Sequence, residues 1–91
     1  METFRMDGDD NRLYFRNSER ISDDEEYEQV MSYLSEAGCE IGEPKIAPDC
    51  DLIECEYEGD PFTVIRTIDG DGTFIYAENR EVLDNLEQIF L

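Results

Sequence analysis

Carboxylates are the residues with the greatest chemical potential in this chain. Glu54, Glu56 and Glu58 alternate along a segment with strand character, so they are expected to project from one face roughly 6.6–7 Å apart. That interval is similar to the spacing of successive phosphates along a nucleic-acid strand. Asp23, Asp24, Glu25, Glu26 and Glu28 crowd the start of a helix, with no cation between Ser22 and Gln29, so i, i+4 pairing cannot neutralise them. Paired carboxylates can perform acid and base catalysis. With 25 acids in 91 residues, however, some pair always lies close, and proximity alone is no argument for catalysis. Histidine is absent, as are a Gly-rich phosphate loop and any Ser or Cys beside a base. The expectation is a non-enzymatic protein with no cofactor.

Two segments invite a metal reading. Thr67–Glu78 resembles a twelve-residue EF-hand calcium loop, with Asp69, Asp71 and Glu78 at positions 3, 5 and 12 and Gly72 at position 6. It departs from that loop at position 1, where Thr67 replaces a carboxylate. The preceding Phe62-Thr63-Val64-Ile65 favours a strand where an EF-hand needs a helix, so a hairpin turn is expected instead. Asp7-Gly8-Asp9-Asp10-Asn11 is also read as a turn, because Arg12 stands where such a loop needs its glycine. Cys39, Cys50 and Cys55 are odd in number and lack a CxxC pair, which fits free thiols rather than a disulfide framework or a zinc site.

Charge narrows the partner class. Twenty-five acids against seven Lys or Arg leave a formal net charge of -18. Direct nucleic-acid binding and a polybasic grip on a membrane both need clustered cations and are excluded. At 40% hydrophobic and 11% aromatic residues, the chain nevertheless has the material for a core, and a folded domain is expected over disorder. No apolar run approaches the ~18 residues of a membrane span, and Met1-Glu2-Thr3-Phe4-Arg5 lacks the features of a signal peptide. A cytoplasmic location follows as an expectation.

These residues must be held by ordinary elements. Ser22-Asp23-Asp24-Glu25 has capping-box spacing, and Tyr27, Val30, Met31 and Leu34 share one helical face before Ala37-Gly38 stops the helix. Gly42 to Asp49, with two prolines, reads as a loop. Leu52 to Tyr57, Phe62 to Ile68 and Thr73 to Ala77 read as an antiparallel meander. A second helix follows Asn79, with Val82, Leu83, Leu86, Ile89 and Phe90 on one side, and Ile89-Phe90-Leu91 could close the core or join two subunits. Thr3 to Met6 and Leu13 to Phe15 form a candidate hairpin before the first helix. The fold class is α+β over residues 1–91: an antiparallel sheet in ββαβββα or βαβββα order, with two helices packed on one face.

In its length, its charge, its hairpin core and the run from Arg66 through Asp69-Gly70-Asp71-Gly72 to Val82-Leu83, the chain resembles the small acidic phage-type inhibitors, the anti-CRISPR proteins and other DNA mimics. The resemblance implies an inhibitor that blocks a basic nucleic-acid-binding protein or ribonucleoprotein effector, in the host cytoplasm if the chain is phage-encoded; the sequence leaves monomer and homodimer both open. Asp23, Asp24, Glu25 and Glu28 on the helix, with Glu54, Glu56 and Glu58 on the strand, are the expected contact surface. Two other readings of the charge remain. One is an immunity protein or antitoxin capping a basic nuclease. The other is a salt-adapted acidic domain without mimicry, although three Ala and three Val against eight Ile do not suit it.

Overall fold

A computed structural model describes residues 2–16, 21–67 and 72–90. Eight elements run in the order β1 (Glu2–Met6), β2 (Asp9–Arg16), α1 (Asp23–Glu36), β3 (Glu40–Ile46), β4 (Cys50–Tyr57), β5 (Asp60–Thr67), β6 (Thr73–Tyr76) and α2 (Arg80–Ile89). All strand pairs are antiparallel, and the strands form one sheet in the order β1-β2-β6-β5-β4-β3. The class is α+β, as the hydrophobic patterning requires, with one strand more than expected. That strand is β3, which occupies much of the segment read as a loop. It pairs only with β4 and slips register between Ile41 and Pro44. At the slip Gly42 approaches β4 so closely that a Cβ there would stand 2.6 Å from the Glu54 carbonyl oxygen, so only glycine fits.

Both helices form for local reasons. Ser22 caps α1 by accepting a hydrogen bond from the Glu25 amide at 3.2 Å, and Asp23, Asp24, Glu25 and Glu26 complement the positive end of its dipole. Paired hydrogen bonds, Cys39 N to Leu34 O and Gly38 N to Ser35 O, close its other end as a Schellman motif. Asn79 caps α2 through the Glu81 amide at 3.0 Å. The apolar stripes of the two helices meet one face of the sheet. Val30, Leu34, Val82, Leu83 and Leu86 are buried there with Leu13, Phe15, Ile53, Val64 and Ile75 in a continuous core. Phe90 belongs to the same core at 1% exposure, so this part of the apolar C-terminal end closes the fold.

Strand alternation puts the remaining side chains on the opposite, helix-free face. One row there crosses the whole sheet through matched residues: Phe4, Tyr14, Phe74, Ile65, Leu52 and Lys45. No helix among the described residues is long and apolar enough to cross a membrane.

Candidate acidic interface

Residues 68–71 lie outside the described residues, and with them Asp69 and Asp71 of the calcium-loop candidate and the centre of the β5–β6 turn. The flanking residues form a hairpin. Thr67 donates to the Gly72 carbonyl from both its amide (3.1 Å) and its hydroxyl (2.7 Å), and strands precede and follow it where an EF-hand would need helices. The Asp7–Asn11 candidate is divided between the β1–β2 turn, Asp7-Gly8, and the start of β2, where Asp9 forms an ion pair with Arg12 at 3.4 Å. No group of three or more potential metal ligands converges among the described residues.

The acids expected to act together are divided by the sheet. Asp23, Asp24, Glu25 and Glu28 lie in the helix layer. Ile53 and Cys55 face the core, so Glu54 and Glu56, which alternate with them, project from the opposite face. Glu58 belongs to neither set. Tyr57 pairs with Asp60, which leaves Glu58-Gly59 as a two-residue hairpin turn, with φ of 53° and 86°. These are type I′ values, natural for glycine and costly for glutamate. The alternation of three glutamates therefore ends after two, and a strained turn carries the third.

Several α1 acids have work to do within the fold. Asp24 forms an ion pair with Arg66, whose guanidinium also lies 4.6 Å from the centroid of the Tyr27 ring. Burial, and secondarily Glu28, pushes the Tyr27 hydroxyl pKa upward. Glu26 accepts a hydrogen bond from the Thr73 amide at 2.9 Å, tying α1 to β6. The same pattern uses up most described cations. Arg5 binds Asp84 and Glu87 on α2, Lys45 binds Glu54 across the β3–β4 pair, and Arg80 binds Asp10. Arg16 lies instead over the Phe4 ring at 5.0 Å.

A second group of acids has no such task. At the β4–β5 turn end of the sheet, the lining of a cavity of about 780 Å³ includes the carboxylates Glu40, Glu54, Glu56, Asp60 and Glu78 beside apolar residues such as Phe62. Register sets Glu40 directly opposite Glu56, a like-charge cross-strand pair that costs stability. Of the five carboxylates only Glu54 has an ion pair among the described residues. This end of the sheet thus departs from folding interest twice, at the Glu40–Glu56 pair and at Glu58. Of the acids singled out from sequence, Glu54, Glu56 and Glu58 belong here. Glu40 and Asp60 carry no sequence signal for this site, and Glu78 stands out in sequence only as position 12 of the calcium-loop resemblance, because the sheet register and the approach to α2 are what bring them in.

Cys55, one of the three free thiols, is buried beside this cavity. Burial raises its pKa from 9.0 to about 11, against a smaller opposing effect of a hydrogen bond with the Gly42 backbone. The unfolded chain therefore ionises first. Stability from this group is intact below pH about 9 and is lost as pH rises through about 11, a loss of roughly 2–3 kcal/mol. Melting curves are expected to show that decline between those values. Cys55→Ala should flatten it, and an unchanged slope would show that the thiol is not its source.

No family model, curated protein or solved structure matches the chain.

Proposed function

We propose that the protein is a non-enzymatic, cytoplasmic inhibitor of the anti-CRISPR and DNA-mimic type, whose acidic surface occupies the basic nucleic-acid-binding site of an effector. The reading is supported above all by the β4–β5 end of the sheet, where exposed carboxylates are kept at positions that the fold itself disfavours. Solubility is reached with far less charge than -18 and does not require opposed glutamates. A basic partner would supply what the fold lacks, cations facing Glu40, Glu56, Glu58, Asp60 and Glu78, with electrostatically steered association. The helix-layer acids Asp23, Asp24, Glu25 and Glu28 lie on the other side of the sheet. They extend the negative field without sharing a flat contact with the first set.

Affinity capture from host lysate at low and high salt, with duplex DNA as competitor, tests this reading. The expected product is a nucleic-acid-binding effector that is released by both salt and DNA. A captured nuclease toxin would support the immunity-protein alternative. An uncharged partner that is indifferent to salt would overturn mimicry. Salt adaptation predicts a different behaviour, an isolated domain that is unfolded in ~20 mM salt, where screening is weak. A cooperative melt in that buffer is the outcome expected here.

A further inference from the structure

The helix-free face of the sheet has an organisation that the inhibitor reading does not use. A sheet face left to water is normally polar. Here Phe4, Tyr14, Phe74, Ile65 and Leu52 form an unbroken apolar row across five strands, every one of them only half-buried. Phe4 stacks on Tyr14 and Tyr14 meets Phe74, each at 5.5 Å between ring centroids. The adjacent row runs Arg12, Tyr76, Thr63, Glu54, with Tyr76 36% exposed. Charge on this face is thus split, with Arg12 and Arg16 on β2 and Glu54 and Glu56 on β4.

We propose that this face is the interface of a symmetric homodimer, a second copy of the chain packing sheet to sheet across the apolar row. The charge pattern selects the symmetry axis. A two-fold axis parallel to the strands, between β6 and β5, sets β2 of one protomer over β4 of its partner. Arg12 then meets the partner's Glu54, Tyr14 meets the partner's Leu52, and Phe74 meets the partner's Ile65. Phe4, whose ring already carries Arg16 at 5.0 Å, lies at the rim beneath the partner's Lys45. Every pairing occurs twice, as an isologous interface requires. An axis perpendicular to the strands would instead stack β2 on β2 and oppose arginines. Glu54 and Arg12 can re-pair at little cost, since their present ion pairs, to Lys45 at 3.2 Å and to Asp9 at 3.4 Å, are exposed and worth little, and Arg12 can keep its place over the Phe74 ring, 5.6 Å from the centroid. Sheets packed this way lie about 30° from alignment, which keeps the central rows in contact.

Two opposing magnitudes set the strength of the dimer. Six strands span roughly 24 Å, so the face is at the small end of specific interfaces and gives a weak association. Each copy also carries a charge of -18, so the dimer forms only where salt screens that repulsion. Of the acidic β4–β5 end only Glu54 is drawn into these pairings, while Glu40, Glu56, Glu58, Asp60 and Glu78, the carboxylates proposed to face an effector, take no part in them. The proposal therefore stands whether or not the inhibitor reading does.

Sedimentation equilibrium at about 100 µM chain tests it, in ~0.5 M and ~20 mM NaCl. The wild type is expected to have the mass of a dimer in high salt and of a monomer in low salt. Arg12→Glu and Glu54→Arg should each be monomeric in high salt. Mixed in equal amounts they should form a heterodimer, because each then supplies the charge that the other lacks. That rescue also separates a lost contact from a lost fold, which circular dichroism of each variant checks directly. A wild type that stays monomeric in both salts, association that neither variant weakens, or a mixture that fails to associate would each overturn the proposal.

Discussion

Phe90→Ala is expected to bring the domain close to the limit of folding, with a loss of about 3–5 kcal/mol. The Phe90 ring packs edge-on against Phe15 of β2 at 4.8 Å and against Tyr33 of α1 at 5.4 Å. It sits one residue beyond α2, so a single side chain joins both helices to the sheet. Aromatic pairs of this kind contribute about 0.5–1.5 kcal/mol beyond the burial of their area. Domains of this size are stable by only about 5–15 kcal/mol, and self-repulsion at -18 places this one toward the lower end. A fall in Tm of roughly 15–30 °C follows, measured by calorimetry in ~0.15 M NaCl. Raising the salt should recover part of it, since screening relieves the repulsion while the cavity remains. Ile46→Ala is the control, because Ile46 is 87% exposed and should shift Tm by no more than a few degrees. Equal losses at the two positions would contradict the core described here.

The elements legible in the sequence are those specified by neighbouring residues. Ser22 and Asn79 as caps, Gly38 at the end of α1 and the apolar stripe of α2 are local signals, and each lies where the pattern puts it. The strand β3 has no such signal. Every one of its residues is exposed, it holds Gly42 and Pro44, and it exists because β4 offers an edge to pair with. Prolines and glycines with no apolar alternation read as a loop until that partner is known. The acidic site was half legible for a related reason. Alternation places Glu54 and Glu56 on one face, but it does not extend to Glu58, because Glu58-Gly59-Asp60-Pro61 also has the residues of a turn and the structure turns there. Glu40 and Glu78 reach the cavity through long-range register, and in a chain with so many acids no spacing rule distinguishes them.

Reversing charge at that cavity should move stability and binding in opposite directions, the sharpest consequence of the proposed interface. Glu56→Lys combined with Asp60→Lys replaces the Glu40–Glu56 repulsion with an attraction. Opposed like charges on neighbouring strands cost about 0.2–1 kcal/mol, so reversal is expected to raise Tm by several degrees. Adding Glu58→Gly relieves the left-handed backbone at φ 53° and should raise Tm further. The same changes remove carboxylates that a basic effector would pair with. Loss of charged partners at an interface costs about 2–4 kcal/mol, or roughly 30- to 1000-fold in Kd. Net charge alone could weaken binding to any basic surface, so the comparison that decides is Glu25→Lys with Glu28→Lys on α1. That variant removes the same charge from the opposite layer and should weaken binding far less. Equal weakening by both pairs would assign the effect to the overall field and leave no special role for the cavity. Weakening without a gain in Tm would remove the physical ground for choosing this end of the sheet, because its carboxylates would then carry no folding cost for a partner to explain.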